Sequence, residues 1–438
     1  MRSFVSAALW LGVYLALVLA PLVVLLLGEV PAGGGFLWDL SIALGFAGTT
    51  MMAVQFLLTA RFRRATAPYG IDLIYYFHRY AAVIALVVIV AHPVLLIVDN
   101  PQSAAMLDPS FAPLHMVAGS ASVVVLVLLA AVSLLRKQLH IPYEAWRLTH
   151  LLLALAAIAL ALSHVYGVSY YSALPRMKVL WVAVGVGVGG IVTYVRVIRP
   201  WRIRRRPYRV VSVTPERGDA WTLRLEPERG ERLDFQPGQF AWLSLGSSPF
   251  AMRDHPFSIA SSPALPGAIE ITIKELGDFT RTVAKTRAGE TAYVDGPYGA
   301  FTIDRYDPPG FVFVAGGIGI APIMSMMRAL ADRGDPRPVL LFYAYRRRER
   351  MTFYEEIESM KQRLRLRVVH VLEEPPEGWA EESGRVTTEL LDRHLPADRD
   401  RLEHFICGPT AMIRSVEHSL RRLGVPMACY HSEIFDLA

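Results

Sequence analysis

Apolar residues crowd into long runs before about residue 200 and thin into short, interrupted ones afterwards. Six early runs, at roughly 4–27, 36–60, 72–98, 113–135, 143–166 and 177–198, are long enough to cross a bilayer as helices. The first is too long for a signal-peptide core and lacks a small-residue cleavage site, so it reads as a retained span. Residues 207–305 then break into short segments separated by Gly and Pro: Tyr208–Val213, Trp221–Leu225, Phe240–Leu245, Ala268–Lys274 and Thr291–Val294. Short strands of this kind predict a small antiparallel barrel. From about 310 the pattern alternates. Strands at Phe311–Ala315, Val339–Tyr345, Arg367–Leu372 and His404–Ile406 are separated by helical stretches from Pro322, at 352–364 and at 410–423. That alternation predicts a parallel α/β sheet. The expected domains are a six-span bundle over 1–200, a β-barrel over 201–306 and an α/β domain over 307–438.

Within this frame four histidines stand out. His78 and His92 lie in the third run, His150 and His164 in the fifth, and each pair is fourteen residues apart. Fourteen steps of about 100° return to nearly the same helix face after about 21 Å of axis. Two facing helices would then offer two stacked pairs of imidazoles, and such pairs are ordinary axial ligands of haem iron. A single membrane histidine can equally be a lone polar contact or a proton site; the repeated interval favours two haems. His115 and His140 lie near run ends, lack this pairing and read as interfacial.

Charge sets the orientation. The chain of 438 residues is 53% apolar with a formal charge of +6. Arg2, Arg61, Arg63, Arg64, Arg136, Lys137, Arg196, Arg199, Arg202 and Arg204 to Arg206 fall on one side of the spans. Glu29, Asp99 and Asp108 fall on the other, with Arg176 and Lys178 as exceptions. Positive residues stay inside, so both termini are expected in the cytoplasm, most simply of a bacterium with this chain in its inner membrane. The basic balance then reflects topology and anionic lipid, not nucleic acid. Both histidine-bearing spans run outward, which puts His78 level with His150 and His92 level with His164. Arg79 and Arg147, beside the cytoplasmic pair, suit haem propionates or ordinary anchoring equally. Gly185, Gly187, Gly189 and Gly190 in the sixth run predict close helix packing. The cysteines are only two, Cys407 and Cys429, and no CxxCH is present, so any haem is held non-covalently.

The α/β region carries a strand followed by Gly316-Gly317-Ile318-Gly319 and a helix. Such a turn is either a tight structural bend or a pyrophosphate site at a helix N-terminus; its place on the first strand favours the latter. Arg346, Arg347, Arg348 and Arg350 end the next strand. They can hold an adenosine 2′-phosphate, favouring NADPH over NADH, or form a solvated charge run.

The motifs His255-Pro256-Phe257-Ser258, Ile273-Lys274-Glu275-Leu276-Gly277-Asp278-Phe279-Thr280, Asp295-Gly296-Pro297-Tyr298-Gly299 and Cys407-Gly408-Pro409 resemble those of the NADPH oxidase and ferric reductase superfamily. With the six spans and the doubled histidine interval, the resemblance extends over nearly the whole chain. It implies a six-helix transmembrane haem bundle, an FAD-binding barrel and an NADPH-binding α/β domain of the ferredoxin-reductase type. By resemblance, Phe257 lies along the isoalloxazine and Ser258 hydrogen-bonds it, while Arg253, His255 and the neighbouring Pro256 and Lys274 belong to the FAD-contacting motifs. Gly277 and Thr280 match the turn that cradles the FAD pyrophosphate. Gly316, Gly317, Gly319 and Pro322 match the nicotinamide-nucleotide loop, and Cys407, Gly408 and Pro409 the nicotinamide wall. Phe435 resembles a terminal aromatic that covers the flavin, or is a simple packing residue; Cys407 likewise can simply close a strand.

Hydride donors give two electrons at once and haem iron takes one, so the resemblance implies the order NADPH, FAD, haem b on His78 and His150, then haem b on His92 and His164. Oxygen, giving superoxide, is the expected acceptor, ahead of a ferric chelate. The second run carries Asp39 and no Arg on its outer part, no second His follows His92 by one turn, and His115 is the only obvious substitute near the outer haem. This departure weakens the oxygen reading. An electron-input subunit serving another membrane or periplasmic protein is the other class. No calcium-binding loop or interaction tail is visible, so no obligatory protein partner is expected.

Overall fold

The computed structural model describes residues 2–62 and 71–434, side chains excepted at 2–6, 71 and 72. Phe435, Arg63 and Arg64 therefore lie outside the described residues. The chain divides into two compact units, one built on residues up to Pro200 and the other from Trp201 onward.

The first unit is helical. Its membrane-length helices are α1 (Arg2–Leu26), α2 (Phe36–Leu58), α3 (Ile71–Asp99), α4 (Leu114–Leu135), α5 (Tyr143–Val168) and α6 (Pro175–Thr193). Hydropathy placed all six, as continuous apolar stretches must be helical to satisfy their backbone in lipid. The sixth differs at its end. It does not stop near 198 but passes through a π turn at Tyr194–Ile198 into α7 (Arg199–Arg204), carrying the basic stretch as helix. Arg176, an exception to the charge rule, has a structural use. Its Nε donates to the Val24 carbonyl at 3.0 Å and its Nη2 to Leu25 and Glu29 at 2.9 and 2.7 Å, covering the carbonyls at the end of α1.

Close packing falls on other glycines than the sequence suggested. A Cβ on Gly187, Gly189 or Gly190 would meet nothing within 4 Å, and one on Gly185 only Leu162. Those glycines do not bring helices together. Gly48 does so against Ile89, and Gly45, Gly119 and Gly167 do so against histidines, with Cβ positions 2.1 to 3.2 Å from the nearest ring or Cβ atom. Hydropathy cannot separate the two groups, because both are glycines in apolar runs.

The second unit holds two six-stranded sheets. The antiparallel one comprises β1 (Tyr208–Glu216), β2 (Ala220–Pro227), β3 (Phe240–Leu245), β4 (His255–Ser258), β5 (Ile269–Lys274) and β6 (Thr291–Tyr298) in the order β4-β3-β6-β1-β2-β5. A bridge between Ile259 and Ile271 joins its two edges, closing a barrel around Val210, Leu223, Leu243, Ile269 and Ile271. Strand β4 was not legible as a strand. It is short and contains Pro256, which an edge position tolerates.

The parallel sheet comprises β7 (Phe311–Gly316), β8 (Val339–Tyr345), β9 (Leu366–Leu372), β10 (Glu382–Ser383), β11 (Glu403–Cys407) and β12 (Tyr430–Glu433), ordered β10-β9-β8-β7-β11-β12. Its helices are α8 (Ile320–Asp332), α9 (Tyr354–Met360), α10 (Thr388–His394) and α11 (Thr410–Arg422). Successive β7 residues point to opposite faces: Phe311, Phe313 and Ala315 pack toward α8, Val312 and Val314 toward α10 and α11. Both faces are covered, so the central strands β7 and β8 read as unbroken apolar runs. Arg328 fixes this sheet to the barrel. It forks onto Glu356 with two bonds of 2.7 Å and donates to Glu270 and the Ala260 carbonyl. Ser325 adds a bond of 2.7 Å to the Ser261 carbonyl.

Candidate redox sites

In the helical unit the fourteen-residue intervals on α3 and α5 produce two matching tiers. The rings of His78 and His150 are 6.3 Å apart between centres, inclined by 63°; those of His92 and His164 are 6.3 Å apart, inclined by 65°. Two imidazoles on opposite sides of one metal, each nitrogen about 2 Å from it and each ring centre about 1 Å farther out, stand about 6 Å apart. The residues therefore fit a bis-imidazole haem at both tiers. Among the described residues there is no cluster of three or more His, Cys, Asp or Glu for a bare ion. Haem iron needs only the axial pair from the protein.

The other ring nitrogen decides which atom would face a metal. His92 Nδ1 lies 2.9 Å from both the carbonyl and the hydroxyl oxygen of Ser41 on α2. His164 Nδ1 lies 2.9 Å from the His115 carbonyl on α4, and His150 Nδ1 3.0 Å from Ser133 Oγ on the same helix. Nδ1–H donating to an oxygen leaves Nε2 as the ligating atom and fixes the ring. Trp146 Nε1 in turn donates to Ser133 Oγ at 3.3 Å. Of these four histidines, only His78 has an Nδ1 that is buried without a partner among the described residues.

Sequence reasoning missed these supports. Glycine backs the second tier: a Cβ on Gly45 would stand 3.2 Å from His92 Nδ1, and one on Gly119 only 2.6 Å from His164 Nδ1. His115, expected to stand in as a polar group near this tier, contributes its backbone carbonyl to His164. Its side chain lines a cavity of about 610 Å³ with Leu114, Ala159, Leu162, Ser163, Tyr166 and Gly167. Asp39 accepts from Tyr171 Oη at 3.0 Å. Arg79 is exposed and Arg147 half-buried.

In the second unit, β4 presents His255, Pro256, Phe257 and Ser258 opposite Leu243, Trp242, Ala241 and Phe240 of β3. Ser258 Oγ is buried and unpartnered, as expected of a hydroxyl that bonds a flavin. Phe279 stacks on His255 at 4.1 Å and on Phe257 at 5.9 Å, an aromatic series that the sequence did not reveal. Arg253 is exposed just ahead of β4. Thr280 Oγ1 accepts from the backbone N–H of Leu276 and Gly277 at 2.8 Å each, so Gly277 and Thr280 shape their turn rather than offering those two donors outward. Lys274 Nζ donates to Tyr345 Oη at 3.1 Å, across the two sheets.

The order in which strands are added reverses between β7 and β11, and the crevice outside the carboxyl ends of the strands at such a point is where nucleotides bind. Gly316, Gly317 and Gly319 sit there at the entry to α8, with Pro322 in its first turn, opposite Cys407, Gly408 and Pro409. A Cβ on Gly319 would stand 2.3 Å from the Cys407 carbonyl oxygen, and one on Gly408 3.0 Å from Gly316 Cα. Glycine is thus what lets the loops meet. Cys407 is fully buried, and burial first, then Glu433, push its thiol well above the usual range. It is a neutral packing wall, not a thiolate. Glu433, its pairing partner in β12, is a buried carboxylate the sequence did not flag.

The arginine run is not simply solvated. Arg346 and Arg347 both donate to Glu374 at 2.6 Å, and these bonds, Arg347's first, hold its carboxyl below the usual range. Arg348 stands over Tyr354 and Trp379, and Arg350 pairs with Asp219 of the barrel.

Three domain families match in chain order: "Ferric reductase like transmembrane component" over residues 44–161, "FAD-binding domain" over 206–302 and "Oxidoreductase NAD-binding domain" over 313–418. The chain belongs to the NADPH oxidase and ferric reductase superfamily. Its architecture is that of transmembrane electron transfer from NAD(P)H. Among curated relatives, the propane 2-monooxygenase reductase component of Mycolicibacterium goodii is 30% identical over 241 residues, 52% of this chain and 68% of that protein. The glycine betaine monooxygenase reductase subunit of Chromohalobacter salexigens is 29% identical over 242 residues, 54% of this chain and 65% of the relative's own length. A flavohemoglobin from Malassezia yamatoensis covers 92% of this chain and 100% of its own, at 17% identity and a TM-score of 0.50, a likeness of fold alone.

Proposed function

We propose that this protein oxidises cytoplasmic NADPH and delivers the electrons singly to oxygen on the outer face of a membrane, giving superoxide. One NADPH becomes NADP⁺ with release of a proton, and two oxygen molecules each gain one electron. The observation that carries this reading is the pair of imidazole tiers, alike at 6.3 Å and fourteen residues apart on the same two helices. His78 with His150 would hold an inner haem b and His92 with His164 an outer one. Arg253, His255, Phe257, Ser258 and Lys274 would serve FAD, and Gly316, Gly317, Gly319, Pro322, Gly408 and Pro409 NADPH. Bound flavin supplies the change from hydride to single electrons, and bis-imidazole haem supplies one-electron carriage.

The chain's own residues do the rest. Ser41, His115 and Ser133 hold their imidazoles in one orientation, with Nε2 toward the metal. With His92 and His164 both holding the outer haem iron, the acceptor would be reduced without binding that iron. Cys407 and the glycine loops would wall the nicotinamide crevice. Arg346 and Arg347 take a 2′-phosphate when Glu374 yields them.

Oxygen is favoured over a ferric chelate by charge. On the side expected outside, Glu29, Asp99 and Asp108 outnumber Arg176 and Lys178, a poor field for an anionic chelate. The His115 cavity is mostly apolar, which suits a neutral gas better than a charged chelate. Similarity to reductase components keeps an electron-input role as the second reading. Proteoliposomes with purified chain and NADPH separate these. Dismutase-sensitive cytochrome c reduction is expected without further protein. Ferric-chelate reduction alone, or activity only with an added protein, contradicts the proposal.

A further inference from the structure

Three of the four paired histidines have an oxygen on Nδ1; His78 has none, although its Nδ1 is buried. On α2, which shares packed residues with α3, another buried group is equally unmatched. Gln55 on α2 has both its amide oxygen and its amide nitrogen buried with no hydrogen-bond partner. A carboxamide is rarely left so, and rarely placed in a membrane span without use.

The helix register places the two at the same level. Helices α2 and α3 run antiparallel. Ser41 meets His92, Gly48 meets Ile89, and Met51, Val54 and Leu58 pack with Ala85, Ala81 and Ile74. Gln55 lies fourteen residues after Ser41, and His78 fourteen before His92. The same interval that repeats the imidazole on α3 therefore repeats its oxygen partner on α2. Ser41, Gly45, Gly48, Met52 and Gln55 follow steps of three and four, one stripe of the helix.

We infer that the Gln55 carboxamide oxygen is the acceptor for His78 Nδ1–H, directly or through one buried water, as the Ser41 oxygens are for His92. Gln55 is thus a positioning residue for the inner haem ligand, and this rests on the haem reading above. An acceptor on Nδ1–H makes the imidazole a stronger donor to the metal and favours ferric over ferrous iron. Taking it away shifts the balance toward the reduced form.

The test is a potentiometric titration of the haem bands in the purified, haem-loaded chain. Ser133→Ala, which touches His150, identifies the inner component. Gln55→Leu should move that same component, raising its ratio of reduced to oxidised haem at fixed potential about tenfold, which is about 59 mV for one electron. The outer component should stay within twofold. Gln55→Glu, which keeps an acceptor oxygen, should not raise the ratio. If Gln55→Leu does not assemble, Gln55→Met carries the same expectation. An inner ratio within twofold of the parent in the apolar variant overturns the inference, as does Gln55→Glu behaving like Gln55→Leu. A chain that binds no haem overturns the haem reading instead, so the two failures are distinct.

Discussion

The two imidazole tiers are alike in ring distance and unlike in what steadies them. At His92 and His164 the supports are backbone carbonyls, of Ser41 and His115, with Gly45 and Gly119 behind the rings. At His150 the support is a side-chain hydroxyl, and at His78 none is in place. A carbonyl cannot be removed by substitution, so the first kind of tier should fail through steric intrusion. The second kind should fail through loss of a polar atom.

The largest expected effect breaks the glycine-backed tier. Gly119→Val should lose one haem per chain and cut external reduction at least tenfold, because its Cβ would sit 2.6 Å from His164 Nδ1. Gly187→Val, facing open space, should keep both haems. Equal haem loss in the two variants would remove the distinction. Ser133→Ala should weaken haem retention at the inner tier by about tenfold. Ser41→Ala should leave the outer tier nearly unchanged, since the Ser41 carbonyl still accepts from His92. Haem retention after dilution into apo-globin reads both.

His404 sharpens the comparison as a buried histidine without a second imidazole. Its Nδ1–H donates to the Leu402 and Cys429 carbonyls, Nε2 is buried without a partner, and burial pulls its pKa down to about 4. The folded state thus resists a proton that the unfolded chain takes up near 6.5. Stability is full above about pH 6.5 and falls as pH drops toward 4, by about 3 kcal/mol at most. His404→Gln should flatten that dependence in the flavin-release transition of the detergent-solubilised protein; an unchanged slope refutes it. The smallest effect is expected at the exposed nucleotide site. Glu374→Gln should free Arg346 and Arg347 and lower KM for NADPH a few-fold, with kcat and KM for NADH unaltered. A parallel fall for NADH would mean that no 2′-phosphate is recognised there.

The contrast also shows what a sequence can and cannot reveal. The pairing of His78 with His150 and of His92 with His164 was legible because one interval repeated on two helices is not what ordinary packing leaves. Six spans and the strand-helix alternation were legible because burial in lipid or between two layers makes long apolar runs. Gly45 and Gly119 were not, since a helix interior looks the same whether its glycine meets a histidine or, like Gly187, open space. Ser41, Ser133 and Gln55 were invisible because their role depends on a partner on another helix. Glu374 and Glu433 became notable only once parallel pairing set them beside Arg346, Arg347 and Cys407.

The central claim is that two imidazole pairs each hold a haem iron. Haem content of the purified chain tests it most directly, set beside His78→Ala and His92→Ala. The account predicts two non-covalent haems b per polypeptide and one in each variant. A parent with no haem, or variants that keep the parent's count, would contradict it.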